Sequence, residues 1–156
     1  MFVYFLLALA IVVTDQISKI YTVATLDLHE VYTIIPDILS FTYIQNDGAA
    51  WSILEGQMIF FYLITSIVII TLVYYLVKHY KESQLFSIAL AFLLGGAIGN
   101  FIDRILYQYV IDMIRVDFIS FPIFNIADSA LTIGVGLMII HLIIDEIQER
   151  RKGHYE

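Results

Sequence analysis

Two aspartates, Asp112 and Asp128, stand sixteen positions apart in a stretch that is otherwise mostly apolar, Gly95 to Gly136. Ionisable groups in or beside membrane-grade sequence are expensive, and their default reading is functional. Two carboxylates that meet cannot both ionise cheaply, so one keeps a proton and the other can take one from water. The chemistry this suggests is water activation by an aspartate pair. Taken singly, each has a plainer reading: Asp112 could pair with Arg115, and Asp128 could cap a helix, whose N-terminus favours an anion.

Other polar residues cluster in the same stretch. Asn100, Asp103 and Arg104 are spaced to share one helix face, and Asn125, Asp128 and Thr132 are spaced to share another. Asn46 and Asn125 can each donate and accept, which suits orienting an acid or holding a substrate backbone. Arg104 offers five donors, enough to fix loop backbone. Small residues Ala127, Ala130 and Gly134 suggest room beside the Asp128 face. Asp117 is an acid in the same segment with no assigned role. Asp15 and Lys19 are four apart, acid first, so they can pair on one helix face. That pair either neutralises itself or orients a neighbouring site.

The elements that must hold these groups are membrane helices. The chain has 156 residues, 60% of them hydrophobic and 15% charged, too apolar for an ordinary soluble domain. Its net charge of −7 argues against nucleic acid. It has no cysteine, which excludes thiol nucleophiles and disulfides, and its four histidines form no H-x-x-x-H or H-E-x-x-H arrangement. No metal and no cofactor is expected. Four spans are read at about 2–24, 57–77, 84–106 and 125–146. The first lacks the basic flank and cleavage site of a secretory signal and reads as a span. Gly95 and Gly99 form a G-x-x-x-G spacing, best explained by helix packing.

Two segments, 27–56 and 107–124, lie between spans. In the first, Leu39, Phe41 and Tyr43 alternate with Ser40 and Thr42, the period of a strand. Val31–Ile35 is β-branched and suits a partner strand, and Pro36 suits the turn. In the second, Ile111 to Ile119 alternates and could pair with the first. Asn46-Asp47-Gly48 is turn chemistry, and Trp51 suits interfacial depth. Lys78, Lys81, Arg150, Arg151 and Lys152 fall on one side, which the positive-inside rule makes cytoplasmic. The expected fold is therefore an all-α membrane protein of four transmembrane helices with a small extracytoplasmic β-cradle. It is one integral domain over 1–156, with both aspartates on the outer side.

Five motifs then carry a resemblance. Asp15–Lys19 matches D-x-x-[ST]-K, Asn46–Trp51 matches N-x-G-A-A-[FW], and Gly96–Arg104 matches G-x-x-G-N-x-x-D-R. Val110–Asp112 matches V-[VI]-D, and Phe124–Asp128 matches F-N-x-A-D. In this order they resemble the lipoprotein signal peptidase family, also called signal peptidase II. Gln45 stands where that family commonly has Arg, and the loop between the aspartates looks short. The resemblance implies an aspartic endopeptidase of the bacterial cell membrane with Asp112 and Asp128 catalytic. It gives Asn46, Gly48, Asn100, Arg104, Asn125, Asp15 and Lys19 substrate-binding or supporting roles. The implied partners are membrane lipids and prolipoproteins with a lipid-modified lipobox cysteine, cut before that cysteine. Two other readings compete with this one. A small transporter with Asp15, Asp103 and Asp128 as a proton relay would be expected to show repeated halves, and none is found. A non-enzymatic assembly factor would not need two outer-face aspartates beside asparagines.

Overall fold

The computed structural model describes residues 1–48 and 56–152, with side chains through residue 150. The expectations for Ala49, Ala50 and Trp51, and for the side chains of Arg151 and Lys152, lie outside the described residues. Four long helices are present: α1 (Phe2–Thr25), α2 (Met58–His79), α3 (Gln84–Tyr107) and α4 (Ile126–Lys152). Each has the length and apolar composition to cross a membrane. Three strands, β1 (Val31–Ile35), β2 (Leu39–Asn46) and β3 (Val110–Val116), form one antiparallel sheet in the order β1-β2-β3.

Helix α3 is the centre of the bundle. Protein buries 56% of its apolar window, against 11–17% for the other three helices. The cause is its small-residue surface. A Cβ on Gly95 would sit 2.8 Å from the Ile11 Cβ of α1, and one on Gly99 would sit 2.7 Å from Asp15 Oδ2. The G-x-x-x-G spacing is therefore a packing face for α1. Ala127, Ala130 and Gly134 serve the same purpose on α4. The two alanines are buried, and Gly134 lies against Leu93. They close the α3–α4 contact rather than leaving room beside Asp128. Ser83 caps the start of α3, its hydroxyl accepting from the Phe86 N–H at 3.2 Å. Gln108, in the left-handed region at φ 64°, ends it.

The sheet brings distant segments to one end of the bundle. Asn46 pairs with Val110, and Ile44 with Asp112, across β2 and β3. Strand β3 stops at Val116, short of the alternation that runs to Ile119. There the Asp117 N–H donates to Ile38 O at 3.0 Å and the chain turns. Val110, Ile111, Asp112 and Met113 are all buried, so the strand is not amphipathic here. One face packs Ile111 and Met113 on Tyr43. Beyond the turn Phe124 pairs with Ile114, donating at 3.0 Å and accepting at 2.8 Å. This bridge delivers Asn125 and the start of α4 to the side of Asp112.

Candidate active site

Asn125 is the residue on which α4 begins. Its Oδ1 accepts from the Asp128 N–H at 2.9 Å, while Asp128 Oδ2 accepts from the Asn125 N–H at 3.2 Å. This is a reciprocal capping box, so the cap reading of Asp128 is correct but incomplete. Its other oxygen, Oδ1, accepts from Asn100 Nδ2 at 2.7 Å. Asp128 therefore stands in the first turn of α4 with both oxygens accepting hydrogen bonds.

Asp112 is held differently. It is 2% exposed, on the inner part of β3. Asn125 Nδ2 donates to its Oδ1 at 2.7 Å and Asn46 Nδ2 to its Oδ2 at 2.9 Å. Asn46 is oriented in turn by Gly48, whose N–H donates to Asn46 Oδ1 at 3.0 Å. Burial pushes the Asp112 carboxyl up to about 7, and the negative charge of Asp128 adds to the push. The amides of Asn46 and Asn125 work the other way, without cancelling it. Arg115 does not reach Asp112. It pairs with Asp117 at 2.9 Å, and Asp117 also accepts from Ser40 Oγ at 2.5 Å.

Both aspartates line a cavity of about 710 Å³ between α2 and α4, floored by α3. Asn46, Asn100 and Arg104 are among its other polar residues, and Ile64, Val68 and Ile133 are among its apolar ones. Those last three are exposed, so the cavity opens sideways between α2 and α4. Arg104 lies over the Phe61 ring, 4.6 Å from its centroid, and its Nη2 donates to Gly48 O at 3.3 Å. It thus fixes outer-segment backbone. It forms no ion pair with its neighbour Asp103.

Asp103 pairs instead with Lys19, at 2.9 Å, and Lys19 pairs with Asp15 at 2.8 Å. Lys19 Nζ also donates to Asn100 Oδ1 at 3.0 Å. The pair on α1 is thus both neutralised and tied to the site. Every residue expected to act or support is placed here: Asp112, Asp128, Asn46, Asn100, Arg104 and Asn125 at the cavity, Gly48 beside it, Asp15 and Lys19 behind it. Sequence reasoning missed Gln16, whose Nε2 donates to Asp103 Oδ1 at 2.8 Å. A carboxamide beside Asp15 in an apolar run was a usable signal. It also missed Tyr62, whose hydroxyl donates to Arg104 O at 2.8 Å, and nothing in the sequence marks that residue. Among the described residues no group of three or more His, Cys, Asp or Glu could hold a metal ion.

Comparison with known proteins gives the family and the fold. A family model described as "Signal peptidase (SPase) II" matches residues 7–144. The lipoprotein signal peptidase of Enterococcus faecalis is 54% identical over 144 residues, 92% of this chain and 89% of the relative. That of Lactobacillus gasseri is 53% identical over 140 residues, 90% of this chain and 91% of the relative. Two solved bacterial membrane enzymes share the fold. One gives a TM-score of 0.90 at 42% identity, covering 94% of this chain and 90% of its own. The other gives 0.84 at 43% identity, covering 91% and 93%.

Proposed function

The chain belongs to the signal peptidase II family, and on that premise we propose that Asp112 and Asp128 carry out its peptide hydrolysis as an aspartic pair. It is a multi-pass bacterial membrane protease that removes signal peptides from prolipoproteins. One observation carries the assignment of the pair: two carboxylates at one end of a mostly apolar cavity, joined through the shared amides of Asn100 and Asn125.

The roles follow from surroundings. Asp128, at the helix N-terminus, is the ionised member and takes a proton from water. Asp112, buried and beside that charge, holds the proton. Asp112 lines the cavity, and its O–H serves as the donor there. It donates to the scissile carbonyl as water adds, giving a gem-diol. In collapse Asp128 gives its proton to the leaving nitrogen and Asp112 recovers one from a gem-diol hydroxyl. Both carboxyls return to their starting states with no covalent intermediate.

The substrate is a prolipoprotein whose lipobox cysteine carries diacylglycerol, cut on the N-terminal side of that cysteine. The mouth between Ile64, Val68 and Ile133 suits acyl chains that stay in the bilayer while the peptide reaches the polar end. The four helices and the sheet act as one peptidase domain. Lys78 and Arg150 stand at the far ends of α2 and α4 from the aspartates, which by the positive-inside rule supports a site on the extracytoplasmic side. Purified protein given the lipid-modified prolipoprotein beside its unmodified form tests the reading. Cleavage before the modified cysteine alone is expected, and equal cleavage of both forms removes the lipid from the proposal.

A further inference from the structure

We propose that Lys19 is a positioning residue for the aspartate pair, its ammonium setting their separation and charge balance through two carboxylates and one amide. This rests on the aspartic reading above. It adds a residue on α1 that touches neither aspartate.

The geometry repeats itself. Asp15, on one side of the ammonium, accepts the Ala127 N–H on Oδ1 at 2.9 Å. Asp103, on the other side, accepts the Ile111 N–H on Oδ2 at 3.0 Å. Ala127 and Ile111 immediately precede Asp128 and Asp112. One cation therefore ties together the backbone amides that lead into both catalytic side chains, one on a helix and one on a strand. An ammonium has three donors, and the third goes to Asn100 Oδ1. That oxygen also accepts from Asn125 Nδ2 at 3.0 Å, which leaves Asn100 Nδ2 facing Asp128. Lys19 thus fixes which way round the Asn100 amide sits.

Stability does not account for this cluster. Asp15, Lys19 and Asp103 are 0%, 1% and 0% exposed. Desolvating three charges offsets most or all of their mutual attraction, and such groups are often retained for geometric specificity. The charged groups around the pair are Asp15 and Lys19 from α1 and Asp103 and Arg104 from α3. Withdrawing one negative charge from this set favours the ionised form of Asp112; withdrawing the ammonium loosens the tie itself.

The test is steady-state cleavage of lipid-modified prolipoprotein by the full-length variants, with melting temperatures alongside. Lys19→Met keeps the length of the side chain and removes all three donors. Misplacement by about 1 Å costs on the order of a hundredfold, so kcat should fall about a hundredfold. KM should stay within about threefold, because Lys19 itself does not line the cavity. Asp103→Asn keeps an oxygen for Ile111 and removes one charge. Its alkaline limb of kcat against pH should move to lower pH by at least about half a unit. Asp15→Asn should move it the same way. A purely structural cluster would lower melting temperature and leave that limb in place. Folded Lys19→Met with wild-type kcat overturns the proposal. So does an unmoved limb in Asp103→Asn, or in Asp15→Asn, and either decides alone if Lys19→Met does not fold. Turnover surviving in Asp112→Asn and Asp128→Asn would instead remove the aspartic reading, a separate result.

Discussion

Asn125 touches Asp112 with its amide nitrogen, at 2.7 Å, in a contact buried from solvent. The same side chain caps α4 through its oxygen. Folding of the helix and placement of the acid are therefore one event. Asn125→Ala should cost about 1 kcal/mol for the lost cap and more for the stripped carboxyl. Turnover should fall at least about tenfold. Thermal unfolding and cleavage assayed on one preparation check both; full turnover with a lowered melting temperature would leave Asn125 a cap only.

Asp112→Asn and Asp128→Asn should each lower kcat by about a thousandfold or more. Since the two act as a unit, the double variant should be little worse than either. Asp117→Asn is the comparison, with a different expected signature. Asp117 holds Ser40 and Arg115 at the sheet edge, so the variant should melt earlier yet cleave within about threefold of wild type. Deep loss in Asp117→Asn, or substantial cleavage by Asp112→Asn, contradicts the assignment.

The raised Asp112 carboxyl makes two pH predictions. Cleavage should trace a bell, with the alkaline limb near 7, where Asp112 loses its proton. Stability should carry the same signature. Between the ordinary value of 3.8 and about 7 the folded chain keeps a proton that the unfolded chain has lost. Stability from this group is complete at low pH and drains away as pH rises through that window, by on the order of 4 kcal/mol. Asp112→Asn should flatten this dependence. Melting temperatures at pH 4.5 and 7.5 for both proteins decide it, and parallel slopes would refute the shift.

Sidedness has its own check. Asp37 sits at the β1–β2 turn with φ 61°, on the sheet end of the bundle. In intact cells Asp37→Cys should react with a membrane-impermeant thiol reagent, while His79→Cys should react only after permeabilisation. The reverse pattern would invert the topology.

Much of this was legible in the primary sequence, for reasons of scale. An apolar run long enough to cross a bilayer has few alternatives, and a polar residue inside or beside it has few reasons to be there. That is why Asp112, Asp128, Asn100 and Asn125 could be chosen before their contacts were known. Directions of side chains were not legible. Arg104 and Asp103 are sequence neighbours with opposite charge, yet Asp103 faces α1 and Lys19 while Arg104 faces Phe61 and Gly48. Neighbouring helix positions point about 100° apart, and only the packed bundle says what lies in each direction. Strand β3 was legible as a strand that pairs with β2, but its burial was not. Alternation assumes one wet face, and Val110 to Met113 has none.

The cavity mouth between α2 and α4 changes what counts as concentration. A substrate that arrives sideways is met at its mole fraction in the lipid, not at its molarity in the tube. Added inert detergent or lipid at constant protein and substrate should slow cleavage by surface dilution alone. Variants of this chain should therefore be compared at one fixed ratio of substrate to lipid or detergent.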